Sequence, residues 1–273
     1  MAKLTRAHGV LATLKGGICI RKVYDLVCEY CKSSFKSTHN ESRFCSRHCA
    51  NKARYINNVD KNVFQDGWNS INAYFFGLIM SDGCITHNKN RNMIVLGLND
   101  KEMIEYLHSY VECKRNIYKQ DKSYRLYYWN EEAVGFMRKY NLTEKKSLTI
   151  DFPDLFPEEY MPDFIRGIFD GDGSVTFKET KYNIYPQVSI TMGSLIFLQK
   201  LKDVLENYNI ESHIYEEKSR KERDFYLKIS KINEVKKFKK FIYYNNNVVK
   251  LERKFEKLKI LDTISTKYNM LPT

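Results

Sequence analysis

The chain has 273 residues, of which 43% are hydrophobic, so it can bury a sizeable core and is not a disordered tail. No apolar run approaches the length that crosses a bilayer, and the first residues lack the apolar stretch of a secretory signal, so we expect an intracellular protein without membrane spans. The net charge of +12 favours a polyanionic partner, although a solvated lysine-rich surface gives the same composition.

Four of the seven cysteines form two close pairs near the start of the chain, Cys28 with Cys31 and Cys45 with Cys49. Two such pairs, joined by a short polar loop, are typical of a structural zinc site with four thiolate ligands. A disulfide is disfavoured in an intracellular protein, and His48 could replace Cys49 as the fourth ligand. The isolated cysteines are interpreted as structural; they are Cys19, Cys84 and Cys113.

Residues 1–60 are interpreted as a basic, zinc-finger-like unit. They hold eleven Lys or Arg and four Asp or Glu, so about +7 of the net charge lies there. Basic side chains around the cysteines could neutralise phosphates and make the unit an accessory DNA clamp. These side chains are Lys32, Lys36, Arg43, Arg47, Lys52 and Arg54.

The first half of the remaining chain is predicted at residues 61–150. Apolar spacing predicts a helix at 69–81, and Ile94, Leu96 and Leu98 alternate as in a strand. The order is helix, two strands, helix, two strands, helix. The later elements of this half are predicted at 101–110 (helix), 115–119 and 124–129 (strands) and 131–140 (helix).

The second half repeats the order at residues 163–273 and ends in a further C-terminal helix. Residues 151–162, which contain three of the five prolines, are interpreted as the linker between the halves. The elements of the second half are predicted at 160–171 (helix), 174–178 and 185–191 (strands), 194–208 (helix), 213–215 and 225–229 (strands) and 232–243 (helix).

The first helices of the two halves end in the same pattern. Phe75-Phe76-Gly77-Leu78-Ile79-Met80-Ser81-Asp82-Gly83 corresponds to Ile165-Arg166-Gly167-Ile168-Phe169-Asp170-Gly171-Asp172-Gly173, ninety residues later (172 minus 82). A chemistry shared by both halves does not need a residue at which the copies differ, such as Met80 against Asp170. The copies agree at Asp82 and Asp172, which are therefore the leading functional residues.

Small residues four apart predict close packing of the two helices, at Gly77 and Ser81 in one and at Gly167 and Gly171 in the other. Adjacent carboxylates at two negative helix ends need a cation, and Mg²⁺ held by acidic residues suits phosphodiester hydrolysis. An Asp-Gly turn after each helix is the alternative. A calcium loop is rejected, because its twelfth position is Lys181.

The outer sheet faces and the hairpin tips are candidate DNA-binding surfaces. In the strand at 185–191, Val188 and Ile190 point one way, whereas Gln187 and Ser189 point the other. Polar, mostly basic tips suit phosphate and base-edge contacts. The candidate DNA-binding residues are Lys89, Arg91, Lys122, Lys178, Lys181, Gln187, Ser189, Arg220 and Lys221.

These motifs resemble those of the LAGLIDADG homing endonucleases in their single-chain form with two pseudo-symmetric halves. The likeness spans residues 64–258 and excludes the cysteine unit. Besides the two motif segments, it includes Asp66-Gly67-Trp68, Ala73-Tyr74-Phe75-Phe76-Gly77, Leu142-Thr143-Glu144-Lys145-Lys146-Ser147, Phe164-Ile165-Arg166-Gly167 and Leu251-Glu252-Arg253-Lys254-Phe255. Motif one departs from the family pattern at Phe76, Met80 and Ser81.

The resemblance implies an α+β fold of two αββαββα subdomains that form a DNA-binding saddle. It also implies Mg²⁺-dependent cleavage of both strands of a long DNA target, with short 3′ overhangs. Asp82 and Asp172 would be the catalytic metal ligands, assisted by the backbone carbonyls of Ser81 and Gly171. Lys146 and Lys254 lie in stretches where family members place a catalytic lysine, although a surface lysine is the alternative at each.

Two other functions stay open at this point. An RNA-binding maturase that helps an intron to splice resembles the same fold, as does a DNA-binding regulator without nuclease activity. Retention of both aspartates favours cleavage, although a bifunctional protein would keep them too. The resemblance implies a monomer with double-stranded DNA as its partner and intron RNA as a further candidate, encoded in a mobile intron or by a free-standing gene. The Met1 start and the absence of recognisable splicing segments favour an origin other than an intein.

Overall fold

A computed structural model describes residues 6–14, 17–88, 91–144, 146, 149–179, 184–217 and 224–268. It contains two compact units, Met1–Val59 and Asp60–Thr273. Within the part of the chain that the structure describes, no helix is both long enough and apolar enough to cross a membrane.

The first unit consists of a three-stranded antiparallel sheet and one helix. The strands are β1 (Arg6–Leu14), β2 (Gly17–Val27) and β3 (Ser34–Ser37), paired in the order β1-β2-β3. Helix α1 (Arg47–Asn58) begins after Ser46, whose hydroxyl accepts a hydrogen bond from the Cys49 amide at 3.1 Å. This cap satisfies one of the free amides of the first helical turn and fixes Cys49 there.

The second unit begins with the first αββαββα repeat, followed by the second. The elements of the first repeat are α2 (Ser70–Asp82), β4 (Gly83–Asn88), β5 (Arg91–Leu98), α3 (Lys101–Tyr110), β6 (Tyr118–Gln120), β7 (Ser123–Tyr128) and α4 (Glu131–Arg138). Those of the second are α5 (Met161–Asp172), β8 (Gly173–Glu179), β9 (Ile184–Met192), α6 (Leu195–Asn207), β10 (His213–Glu217), β11 (Asp224–Ile229) and α7 (Ile232–Ile242), followed by α8 (Glu252–Tyr268).

The two sheets have the same topology. Their strand orders are β4-β5-β7-β6 and β8-β9-β11-β10, and all pairs are antiparallel. On one face of β5 the residues Ile94, Leu96 and Leu98 are buried, as the alternation predicts. The predicted α+β class and the duplicated order of elements are therefore confirmed.

Helices α2 and α5 pack against each other without room for side chains at their crossing point. A Cβ atom added to Gly77 would lie 2.9 Å from the Gly167 Cα and would collide with the Phe164 carbonyl oxygen. A Cβ atom at Gly167 would collide with the Tyr74 carbonyl oxygen in the same way. The predicted small-residue contact is present, and it brings the C-terminal ends of both helices together.

An aromatic cluster around Trp68 fills the core beside this crossing. The Trp68 ring lies 4.6 Å from Phe156, 4.8 Å from Tyr140 and 5.3 Å from Phe76, measured between centroids. Gly67 precedes it with a φ of +84°, a left-handed conformation that glycine adopts without strain. Phe156 comes from the predicted linker, so this proline-rich segment contributes buried side chains to the core.

Candidate active site and metal centre

The last residues of α2 and α5 are the two aspartates on which the sequence argument rests. A Cβ atom added to Gly171 would lie 3.1 Å from Asp82 Oδ2 and would collide with the Ser81 hydroxyl. The Asp82 carboxylate therefore lies over the backbone of the residue before Asp172. The collision also explains the difference between the motifs, because the Ser81 side chain fills the space that Gly171 leaves.

Lys146 and Lys254 lie at the ends of these helices and are buried, with 7% and 4% of their surface exposed. Lys146 Nζ donates to the carbonyl oxygens of Met80 at 2.7 Å and Ser81 at 2.8 Å. Lys254 Nζ donates to those of Phe169 at 2.7 Å, Asp170 at 2.6 Å and Gly171 at 3.0 Å. Neither residue is a surface lysine, and each places its charge at a negative helix end.

The four charged groups influence one another across the two repeats. Burial and, second to it, the nearby Asp82 carboxylate raise the pKa of Asp172 to about 6. Burial also raises the pKa of Asp82. The charge that most lowers the pKa of Asp82 is Lys254, whereas for Asp172 it is Lys146, so each lysine acts most strongly on the aspartate of the other repeat.

Burial lowers the pKa of both lysines. It brings the pKa of Lys254 to about 8, and the carboxylates of Asp170, Asp82 and Asp172 oppose this effect. For Lys146, burial lowers the pKa and the two terminal aspartates oppose it. A concentrated set of perturbed acids and bases at one place is typical of a functional site rather than of a solvated surface.

The oxygen atoms at this site fit a hard divalent cation. Two carboxylates with raised pKa values and the carbonyl oxygens of Ser81 and Gly171 form an all-oxygen donor set, which Mg²⁺ prefers. Each of these carbonyl oxygens accepts a hydrogen bond from a lysine and has a second lone pair for a metal ion. Mg²⁺ keeps several waters, so few protein ligands suffice.

The four predicted cysteines of the first unit form one cluster. The sulfur atoms of Cys28, Cys31, Cys45 and Cys49 all lie within 4.8 Å of one another. The Cys31–Cys45 and Cys45–Cys49 sulfur distances are 3.6 and 3.4 Å, close to the separation of about 3.8 Å in a tetrahedron of Zn–S bonds. The cluster could hold zinc.

Electrostatics and packing agree with four sulfur ligands. Side-chain hydrogen bonds to the adjacent Cys49 and Cys31 thiols raise the pKa of Cys45 to about 12, so these sulfur atoms interact within one cluster. His48, the alternative ligand, is exposed and does not belong to the cluster. Cys84 is exposed and Cys113 is half-buried with a thiol contact of 3.3 Å to the Tyr127 carbonyl, whereas the side chain of Cys19 lies outside the described residues.

The candidate DNA-binding residues fall into two groups. In β9 the side chains of Gln187 and Ser189 lie on the partly exposed face, opposite buried Val188 and Ile190, and Lys122 and Lys178 are exposed. Four other candidates lie outside the described residues: Lys89, Lys181, Arg220 and Lys221. The backbone of Arg91 is described, but its side chain is not.

The register shows further side chains on the outer sheet faces that sequence reasoning missed. In the first sheet, Val95 pairs with both Cys84 and Tyr127, and Gly97 pairs with Arg125. In the second sheet, Lys228 pairs with Ser189, whose hydroxyl lies 2.8 Å from that of Ser174. The strand alternation could have indicated these positions once the register was known.

Two family models match the chain, one in each repeat. Residues 71–144 match the model described as the WhiA LAGLIDADG-like domain, and residues 159–243 match the model described as the LAGLIDADG-like domain. These matches contain Asp82 and Asp172 and confirm the resemblance of both motif segments.

Solved structures with the same fold include three DNA-bound nucleases. Meganuclease I-SmaMI on uncleavable DNA has a TM-score of 0.53 and 14% identity, covering 73% of this chain and 92% of that chain. LAGLIDADG homing endonuclease I-GzeII with its DNA target has a TM-score of 0.54 and 14% identity, and the match covers 74% of this chain and 93% of that chain. LAGLIDADG meganuclease I-AabMI on uncleaved DNA has a TM-score of 0.51 and 16% identity, and the match covers 74% of this chain and 92% of that chain. These likenesses show the fold.

Two curated proteins of Methanocaldococcus jannaschii are similar in sequence. A probable translation initiation factor IF-2 is 29% identical over 215 residues, which cover 71% of this chain and 17% of that protein. An uncharacterized protein is 26% identical over 170 residues, covering 57% of this chain and 60% of that protein. The chain thus spans less than two thirds of the length of either relative.

Proposed function

We propose that this chain, which carries two LAGLIDADG-like domains, is a site-specific endonuclease that cuts both strands of double-stranded DNA. The observation that carries the proposal is the meeting of Asp82 and Asp172 at two packed helix ends, each end with a buried lysine. One chain supplies both halves, so it acts as a monomer. The two repeats are related by a pseudo-two-fold axis, as are the two antiparallel strands of DNA, so each repeat can serve one strand. The two breaks would leave short 3′ overhangs.

The proposed chemistry is hydrolysis of one phosphodiester in each strand. Mg²⁺ would supply Lewis-acid stabilisation of the phosphate charge and activation of water. Asp82 and Asp172 would hold the cation, together with the Ser81 and Gly171 carbonyls. Lys146 and Lys254 place one positive charge beside each phosphate. They also offset the negative charge of the two carboxylates, which would otherwise repel the DNA backbone.

The outer sheet faces would read the target in the major groove. The second sheet presents Gln187, Ser189 and Lys228, which can hydrogen-bond to base edges, whereas the first presents the apolar side chain of Val95 beside Tyr127 and Arg125. Hydrogen-bonding and apolar surfaces select different bases, the latter suiting thymine methyl groups. The target is therefore asymmetric, with different sequences in its two halves.

The test of this function can be made before the target sequence is identified. Purified protein is incubated with genomic DNA from related organisms, in Mg²⁺ and in parallel in Ca²⁺, and all new DNA ends are mapped by sequencing. Paired ends at one rare site, in Mg²⁺ only, would support the proposal. DNA bound at one site without new ends in either metal would contradict it.

A non-cleaving DNA-binding regulator is the second candidate. The match of residues 71–144 to a WhiA-type domain, rather than to the model that matches the second repeat, favours it. Both aspartates and both buried lysines are nevertheless present, which a binding protein does not need. A parallel sample of the same incubation, treated with a nonspecific nuclease, separates the candidates. A regulator would protect a site from that nuclease in either metal, and the untreated sample would show no new ends.

In the first unit, we propose that zinc has a structural role. Substituting Cys45 by Ser should lower the zinc content from about one ion per chain to none and should expose the α1 amides to hydrogen exchange, because four ligands leave metal binding and folding coupled. Elemental analysis and hydrogen exchange measure the two effects. Cys84→Ser, an exposed cysteine outside the cluster, is the control and should retain zinc. A Cys45→Ser protein with full zinc content would contradict the assignment.

A further inference from the structure

Asp170 lies two residues before the second terminal aspartate and is completely buried. Its carboxylate accepts hydrogen bonds from the Tyr74 hydroxyl at 2.9 Å, the Tyr243 hydroxyl at 3.4 Å and the Leu251 amide at 2.8 Å. A buried carboxylate is costly unless it is hydrogen-bonded or paired. The proposed chemistry makes no use of this group, since Met80 stands at its position in the first repeat.

The Leu251 amide connects this carboxylate to Lys254, the proposed catalytic lysine of the second repeat. Leu251 immediately precedes α8, and its carbonyl accepts the amides of Lys254 at 3.0 Å and Phe255 at 3.1 Å, which forms the first helical turn. Lys254 Nζ in turn donates to the backbone carbonyl of Asp170 at 2.6 Å. Asp170 is thus bonded twice to the start of α8: its carboxylate accepts from the Leu251 amide, and its backbone carbonyl accepts from Lys254 Nζ.

The charges agree with this path. At the end of its own helix the Asp170 carboxylate is unfavourable, but it also faces the positive N-terminus of α8. The positive charge of Lys254 is unfavourable in the first turn of α8, where the helix dipole is also positive, and favourable at the negative C-terminal end of α5. Burial lowers the pKa of Lys254, and the Asp170 carboxylate is the charge that opposes this most strongly. Each group therefore compensates the misplaced charge of the other.

The first repeat positions its lysine in a different way. Met80 offers Lys146 a backbone carbonyl, and its thioether sulfur is only a weak hydrogen-bond acceptor compared with a carboxylate. Lys146 lies in a turn in which its own carbonyl accepts the amides of Thr149 at 3.1 Å and Ile150 at 2.8 Å. The carboxylate-held helix start is therefore a feature of the second repeat.

We propose that Asp170 is a positioning residue that holds Lys254 at the end of α5 through the Leu251 amide, and that it serves one of the two strand cleavages. The proposal rests on the proposed nuclease function for its kinetic consequence. It follows that the two repeats are not equivalent in how they depend on this residue. Loss of Asp170 should impair the cleavage that depends on Lys254 and spare the one that depends on Lys146.

The kinetic test uses a supercoiled plasmid with the mapped target and a different label on each strand. Asp170→Ala should slow cleavage of one strand by about 10–100-fold, so that nicked circles accumulate. Lys254→Met should slow the same strand, and Lys146→Met the other. The double variant Asp170→Ala/Lys254→Met should be no slower than Lys254→Met, because the two residues act along one path.

Asp170→Asn retains an acceptor for the Leu251 amide and should restore most of the strand balance. Tyr74→Phe removes one hydrogen bond from the carboxylate and should give a weaker bias toward the same strand, and it is available if Asp170→Ala does not fold. Equal slowing of both strands, or additive effects with Lys254→Met, would overturn the proposal, since a general loss of structure affects both halves.

A second measurement separates this proposal from the nuclease function. Crystal structures of the unbound wild-type protein and of Asp170→Ala or Tyr74→Phe show where Lys254 Nζ lies, whether or not the protein cuts DNA. Displacement of Nζ from the α5 carbonyls in the variant supports the positioning role even if no DNA is cleaved. An unmoved Lys254 in a folded Asp170→Ala variant overturns it even if the wild type is an active nuclease.

Discussion

Replacing Asp82 or Asp172 with asparagine is expected to slow DNA cleavage by about 10³-fold or more, whereas binding to the mapped target is retained. Asparagine has the same shape but lacks the charge that holds a divalent cation, and metal stabilisation of the transition state is worth several kcal/mol. Each 1.36 kcal/mol is about tenfold in rate. Single-turnover cleavage in Mg²⁺ and a gel-shift assay without metal measure the two quantities.

The matched control for this charge change is Asp203→Asn. Asp203 is an exposed acid on α6, so its variant changes the net charge by the same amount without touching the helix ends. We expect wild-type cleavage from it. Cleavage at the wild-type rate by Asp82→Asn or Asp172→Asn would remove that aspartate from the site, and loss of binding together with cleavage would show that it acts in DNA recognition.

Substituting Gly167 by alanine is expected to destabilise the second unit by about 3 kcal/mol, which lowers its melting temperature by about 6–12 °C. The added Cβ would collide with the Tyr74 carbonyl and lie 2.9 Å from the Gly77 Cα, so two helix backbones must separate. Neither contact belongs to a flexible side chain that could move away. Calorimetry or thermal denaturation followed by circular dichroism gives the shift.

Gly135→Ala is the control for the intrinsic effect of the same substitution. Gly135 lies within α4, is exposed and has no atom within 4 Å of an added Cβ. Alanine there should raise the stability by about 0.5–1 kcal/mol, because glycine is less favourable in a helix interior. A Gly167→Ala variant as stable as Gly135→Ala would contradict the close helix crossing and, with it, the meeting of the two aspartates.

Where local periodicity was strong, the sequence predicted the fold closely. Helix α3 has the bounds that its apolar spacing predicts, and β5 buries the three predicted residues. The strand predicted at 115–119 is shorter in the structure and begins at Tyr118. No strands were predicted in the first unit, although the Gly-Gly pair at 16–17 between apolar segments is a hairpin signal.

The candidate site was predictable as far as the repeat carried information. Two copies of Asp-Gly after a helix with small residues predicted Asp82 and Asp172 as candidates, which a single copy would not have distinguished from a turn. Lys146 and Lys254 lie 64 and 82 residues after their aspartates (146 minus 82 and 254 minus 172), so the repeat gave no support for them. Their burial follows from tertiary packing, which spacing does not encode.

The comparison of the repeats also led the sequence analysis to miss Asp170. Because Met80 stands at the corresponding position, Asp170 was not considered as a functional residue, yet positions at which duplicated halves differ can carry a role specific to one half. A second example is Arg166, which is completely buried and donates to the Val249 and Ile242 carbonyls at 2.7 and 2.8 Å. Its counterpart in the first repeat is Phe76, in the aromatic cluster. Such pairs cannot be predicted without knowing what each half packs against.

The measurement that tests the central claim most directly is a crystal structure of the protein on its target in Mn²⁺, with anomalous scattering used to locate the metal. We predict metal density in direct coordination with carboxylate oxygens of Asp82 and Asp172, beside the phosphates at the mapped breaks. Metal bound at the breaks by other residues, or a target complex in which both carboxylates contact only protein and water, would contradict the account.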